Sequence, residues 1–95
     1  MAGYVIAQIQ VNDADGYGEY KKGVGATIEA YDGEFLVRGG EAEVMEGVWP
    51  LPRTVVLRFP SVEKAKEWYL SDMYKPLLDM RNSVADGNLV IVEGA

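Results

Sequence analysis

The cations of this chain fall into two groups. All five lysines lie in stretches with helical periodicity, whereas Arg38, Arg53 and Arg58 lie in stretches that alternate like strands. The fourth arginine, Arg81, sits near Tyr74, Leu77, Leu78 and Val84 on a helix face whose pattern is otherwise that of a buried face. A guanidinium in such a place needs carboxylate or carbonyl partners. It can equally receive an anionic ligand through paired hydrogen bonds. Glu34, Glu41, Glu43, Glu46 and Glu93 near strand ends offer internal partners, so for any one arginine a structural role is the default expectation.

The chain has no histidine and no cysteine. That excludes a disulfide framework, a zinc site of thiolate or imidazole ligands, a serine or cysteine nucleophile activated by histidine, and a histidine pH switch. The net charge of −6 argues against sequence-independent nucleic-acid binding, which clustered Lys and Arg must carry. General acid–base chemistry through Glu, Asp, Tyr or Lys stays open, although no spacing singles out a pair.

Two sequence motifs fail on inspection. Gly23-Val24-Gly25 has Ile28 where a dinucleotide loop needs its third glycine, and it lies within a helical stripe, so close packing explains these glycines better. Asp13-x-Asp15-x-x-Gly18 has Tyr17 and Val24 where a calcium loop needs side-chain carboxylates. The helical tyrosines and Trp68 are expected in the core, and Ser61 is expected to cap a helix.

At 95 residues the chain is expected to be one domain, residues 1–95, and 48% apolar residues suit a folded core. Met1-Ala2-Gly3-Tyr4-Val5-Ile6 has no signal-peptide pattern, and no apolar run approaches the roughly 20 residues of a membrane helix. A cytoplasmic protein without membrane contact is the default expectation.

Alternation predicts a first strand over 3–11. Asn12 or Asp13 caps a helix whose stripe is Tyr17, Tyr20, Val24, Ile28 and Tyr31, closed by Asp32-Gly33 with Gly33 in the left-handed position. Residues 34–38 form a second strand, which 41–46 are expected to extend beyond Gly39-Gly40. The loop Gly47 to Pro52 carries Trp49, and residues 53–59 form the third strand. A second helix begins after Ser61 with Ala65, Trp68 and Tyr69 inward. Pro76 would cost about 3 kcal/mol deep inside a helix, so the helix must break near 71–75. Asp86-Gly87-Asn88 then turns the chain into a last strand, Leu89 to Val92. The order β-α-β-β-α-β is a ferredoxin-like α+β fold: a four-stranded antiparallel sheet with helices on one face.

Strict alternation puts Val5, Ala7, Ile9, Phe35, Val37, Val55, Leu57 and Phe59 under the helices. It puts Tyr4, Ile6, Gln8, Leu36, Arg38, Thr54, Val56 and Arg58 on the other face. Ile6, Leu36 and Val56 make that face too apolar for open water. A second copy of the sheet is the simplest cover, which predicts a homodimer.

Three stretches carry a family resemblance: Gly33 to Gly40; Glu46-Gly47 through Arg53-Thr54-Val55-Val56-Leu57-Arg58-Phe59-Pro60-Ser61; and Ala65-x-x-Trp68-Tyr69-x-Ser71-x-x-Tyr74-x-x-Leu77-x-x-x-Arg81. With Val92-Glu93-Gly94 they resemble the domain-of-unknown-function family 1330, over nearly the whole chain. The resemblance implies the dimeric α/β-barrel superfamily, with ferredoxin-like subunits paired through their sheets, and no established activity. Relatives in that superfamily include cofactor-free monooxygenases, heme-degrading enzymes, chlorite dismutases and muconolactone isomerases, and fold does not transfer function among them. The chain departs from the family at Asp32, commonly glycine, and at Arg58, commonly acidic.

The family-like residues Arg38, Tyr69, Ser71, Tyr74 and Arg81, with Glu46 and Arg53 beside them, are the expected lining of a pocket between sheet and split helix. Two arginines and two phenols suit a small carboxylate or phenolic ligand, with Trp49 as a closing residue and no cofactor. A cofactor-free monooxygenase-like or isomerase-like enzyme is one alternative. A homodimeric structural module, in which the same residues only hold the split helix, is the other.

Overall fold

Period-two alternation begins at the third residue. The computed structural model describes residues 1–95, and its first strand, β1 (Gly3–Val11), buries Val5, Ala7 and Ile9 on one face. The Asp13 carboxylate accepts the Gly16 N–H at 3.2 Å and caps α1 (Ala14–Ala30), whose buried stripe is Tyr17, Tyr20, Val24, Thr27 and Ile28. Then follow β2 (Glu34–Arg38), β3 (Arg53–Phe59), α2 (Val62–Tyr69), α3 (Lys75–Val84) and β4 (Ala85–Glu93). The sheet order is β2-β3-β1-β4, every pairing antiparallel, with the expected ferredoxin-like α+β topology.

The second helix is split as the proline requires. Ser61 Oγ accepts the Lys64 N–H at 3.1 Å to start α2. Pro76 sits in the first turn of α3, where its missing N–H costs no helix bond.

Four local expectations are corrected. The left-handed residue after α1 is Asp32, at φ 63°, and not Gly33. Gly33 is needed for space instead: a Cβ there would stand 2.5 Å from the Phe59 ring and 2.8 Å from Ile28 Cγ2. Residues 41–46 do not continue β2, because Gly39 turns the chain at φ 72°. β4 begins at Ala85 without a turn, since β1 pairs with it from Val11 opposite Ala85 to Gly3 opposite Glu93, and sheet pairing overrides the turn tendency of Asp86-Gly87-Asn88.

The fourth correction matters most for the site. The register of β2 against β3 slips between Phe35 and Val37, a β-bulge. Phe35 faces Leu57, but Val37 then faces Val56 and Arg38 faces Val55. One extra residue therefore moves Val37, 39% exposed, to the open face and brings Arg38 to the helix side, the reverse of strict alternation.

The core lies between the helices and the inner sheet face, with Trp68, Tyr74, Phe59, Ile9, Ile28 and Val5 its largest fully buried side chains. The outer sheet face carries Leu36, Val37, Val90 and Val92 exposed, beside half-buried Ile6 and Val56. No helix is long and apolar enough to cross a membrane.

Gly33→Ala is expected to lower unfolding free energy by about 1–3 kcal/mol in urea denaturation, the usual cost of overpacking a rigid core. Gly40→Ala, where a Cβ would meet nothing within 4 Å, should change it by less than about 0.5 kcal/mol.

Candidate functional site

The break between α2 and α3 is organised by Ser71. Its hydroxyl donates to the Trp68 carbonyl at 2.7 Å and accepts the Tyr74 N–H at 3.1 Å. Those two bonds place the Tyr74 ring on the Trp68 indole, centroids 4.2 Å apart. Trp68 is fixed in turn by its own donor: the indole N–H bonds Thr27 Oγ1 at 3.0 Å, and that hydroxyl donates to the Val24 carbonyl at 2.7 Å. Phe59 packs on the indole at 5.4 Å. The Tyr74 hydroxyl is thereby delivered to the Tyr20 hydroxyl of α1, 2.9 Å away.

This phenol pair borders a cavity between α1, the split helix and the inner sheet face. About 30 Å³ of it is open to the centre of a water molecule, enough for a small ordered group. Its wall is apolar, built from residues such as Val5, Val24, Ile28, Leu57 and Leu89. Its polar members are nearly all hydrogen-bond donors. Arg38, Arg53 and Arg81 all line it, and no aspartate or glutamate does.

The three guanidiniums are short of partners. Arg38 Nη2 donates to the Lys21 carbonyl at 3.1 Å, and its head lies 4.2 Å from the Phe35 ring centroid. Arg53 stacks 5.4 Å from the Tyr17 ring, and its Nε is buried with no acceptor. Gly39 gives the Arg53 head its room, since a Cβ there would collide with the guanidinium. Arg81 is only 7% exposed and makes no hydrogen bond or ion pair within the chain. The fourth arginine, Arg58, meets Glu34 at 3.6 Å in an exposed pair on the other side of the sheet, where such contacts are weak.

Burial raises the pKa of both phenols. For Tyr20, desolvation is reinforced by the neighbouring Tyr74, and the nearby Arg81 charge only partly opposes it. For Tyr74, desolvation outweighs the lowering by Arg81 and by the bond to Tyr20. Both are therefore neutral hydrogen-bond donors at physiological pH rather than phenolates.

Of the residues expected from sequence, Arg38, Arg53, Tyr74 and Arg81 meet at this cavity. Ser71 is buried behind it as the support of Tyr74, and Tyr69 packs against Tyr74 at 6.0 Å without lining it. Glu46 is exposed on the loop after β2 and lies off the cavity. Trp49 is bound to Thr54 Oγ1 at 3.1 Å beside Val37, Val44 and the loop glutamates Glu41 and Glu43, and does not border the cavity. Sequence reasoning missed Tyr20 and Tyr17 as lining residues because their helical stripe marked them as core. A buried phenol needs a polar partner, and that need was the available signal. No three Asp or Glu side chains gather closely enough to hold a metal ion.

A phenol with a raised folded-state pKa keeps its proton longer folded than unfolded. Its contribution to stability is full below about pH 10, where an unfolded tyrosine ionises, and is lost as pH rises further. Spectrophotometric titration should show two of the six tyrosines ionising only as the protein unfolds. Six phenols titrating together in the folded protein would contradict this assignment.

Solved structures share this architecture. A protein of unknown function from Rhodopseudomonas palustris is similar over 99% of this chain and 82% of its own, with a TM-score of 0.79 at 15% identity. Rv0793 from Mycobacterium tuberculosis is similar over 100% and 96%, TM-score 0.59 at 14% identity. SnoaB, a cofactor-independent oxygenase from Streptomyces nogalater, is similar over 99% and 93%, TM-score 0.58 at 8% identity. At these identities the likeness is one of fold. No curated protein matches the sequence. Residues 2–95 match the family described as domain of unknown function (DUF1330), and the chain belongs to that family.

Proposed function

We propose that this protein binds a small organic anion, held by its carboxylate, in the cavity between the sheet and the split helix. The observation that supports this reading is the unpaired state of the guanidiniums. Three of them border one mostly apolar cavity, and together they have one carbonyl acceptor and no carboxylate. A buried cation without a partner is costly, and an incoming carboxylate supplies the missing acceptors in the paired geometry guanidiniums favour. Arg53 and Arg81 hold the anion inside, Arg38 meets it at the mouth, and Tyr74 orients it. The apolar wall selects a ligand with a small hydrocarbon body.

We further propose that the open sheet face is covered by the same face of a second copy. Leu36, Val37, Ile6, Val56, Val90 and Val92 form an apolar field there that water alone covers poorly.

Short carboxylates at millimolar concentration should raise the melting temperature. Arg53→Gln and Arg81→Gln should each weaken binding about tenfold or more, the scale of a lost charge-assisted hydrogen bond. Arg38→Gln, at the exposed mouth, should cost less. Unchanged affinity in Arg53→Gln and Arg81→Gln, or no stabilisation by any short acid, would refute the anion reading. For the pairing, light scattering should give twice the chain mass of 10.5 kDa, and Val56→Glu should return it to the monomer. A wild-type mass of one chain in dilute solution would refute the dimer.

A further inference from the structure

We propose that the bound anion is a 2-oxo acid, with its carboxylate on the guanidiniums and its keto oxygen accepting from the Tyr20–Tyr74 phenol pair; this rests on the anion reading above. The polar groups of the cavity wall hold more donors than acceptors. Arg38, Arg53 and Arg81 only donate. No Asp, Glu, Asn, Gln, Ser or Thr side chain borders the cavity, and the one other hydroxyl on its wall, that of Tyr17, makes no hydrogen bond to the phenol pair. The Trp68 indole N–H is already taken by Thr27, and the Lys21 carbonyl by Arg38. In the phenol pair one hydroxyl donates to the other at 2.9 Å, and the second hydroxyl proton then has no acceptor within the chain. That proton is a surplus donor at the wall of a site already rich in positive charge.

A complementary ligand therefore brings acceptors at both polar positions. A 2-oxo acid has a carboxylate and an adjacent carbonyl, with no donor of its own. An amino acid fails on both counts: its ammonium adds a cation beside three guanidiniums, and it meets donors with donors.

Three acids that differ only at the second carbon test this: 2-oxobutanoate, butanoate and 2-aminobutanoate, measured by calorimetry at one pH and ionic strength. The expected order is 2-oxobutanoate about tenfold tighter than butanoate, the scale of one buried hydrogen bond, with 2-aminobutanoate the weakest. The Tyr20→Phe/Tyr74→Phe double variant removes both partners of a buried bond with little change in shape, so it should fold. It should lose the preference for 2-oxobutanoate, its affinities for 2-oxobutanoate and butanoate coming within about twofold of each other. Equal binding of 2-oxobutanoate and butanoate by the wild type overturns the proposal and leaves the anion reading standing. So does a preference that survives in the double variant, or 2-aminobutanoate binding as tightly as the oxo acid. Failure of all three acids to bind overturns the anion reading itself. The wild-type series decides the matter alone if the double variant does not fold.

Discussion

A guanidinium buried without a counter-charge is the constraint around which this structure is arranged. Arg81 lies 7% exposed beneath the helices with no acceptor from its own chain, and Arg53 Nε, on the same cavity, is the one fully enclosed side-chain polar atom without a partner. Fifteen carboxylates are available in the sequence, and none is placed beside either head. A protein that needed these arginines only for packing would be as stable or more so with an apolar side chain in their place. Their retention in a mostly apolar cavity, against an overall charge of −6, fits a site whose missing half is brought by a ligand.

The rest of the fold serves that arrangement through three devices. The bulge in β2 turns Arg38 from the open face to the cavity. The left-handed Gly39 clears the space for the Arg53 head. The proline-enforced break between α2 and α3, tied by Ser71, sets the Tyr74 phenol on Trp68 and against Tyr20, while α3 carries Arg81 inward. Each device is local, and the Ser71 break is held rigid because its polar groups are satisfied. Thr27 and Ser71 thus hold the cavity from behind, whereas Trp68 also forms part of its wall.

Most of the architecture was legible in the sequence because the periods are clean. β1 and β3 alternate without interruption, α1 keeps one apolar stripe, and Pro76 dictates the helix break. The features missed depend on partners remote in sequence. The start of β4 is fixed by β1, which pairs straight through a triplet that alone favours a turn. The bulge at Leu36 leaves no mark in a five-residue strand, yet it reverses which side Arg38 serves. Four of the seven expected site residues meet at the cavity because their motif follows the split helix and the strands under it. Glu46 and Trp49 do not, since the chain beyond Gly39 takes no regular path back to the helix side. Tyr20 went unassigned because an inward phenol on a helix has the same pattern whether it packs or binds.

The stability of the ligand-free Arg81→Met variant tests the central claim most directly, because methionine keeps the apolar stem and deletes the unpaired charge. Urea denaturation with no added acid should show the variant as stable as the wild type or more so, by up to a few kcal/mol on the scale of other buried charges replaced by apolar groups. It should also show no further stabilisation by butanoate. A variant clearly less stable than the wild type in the absence of any ligand would contradict the account, and would make Arg81 a strut of the split helix rather than half of a binding site.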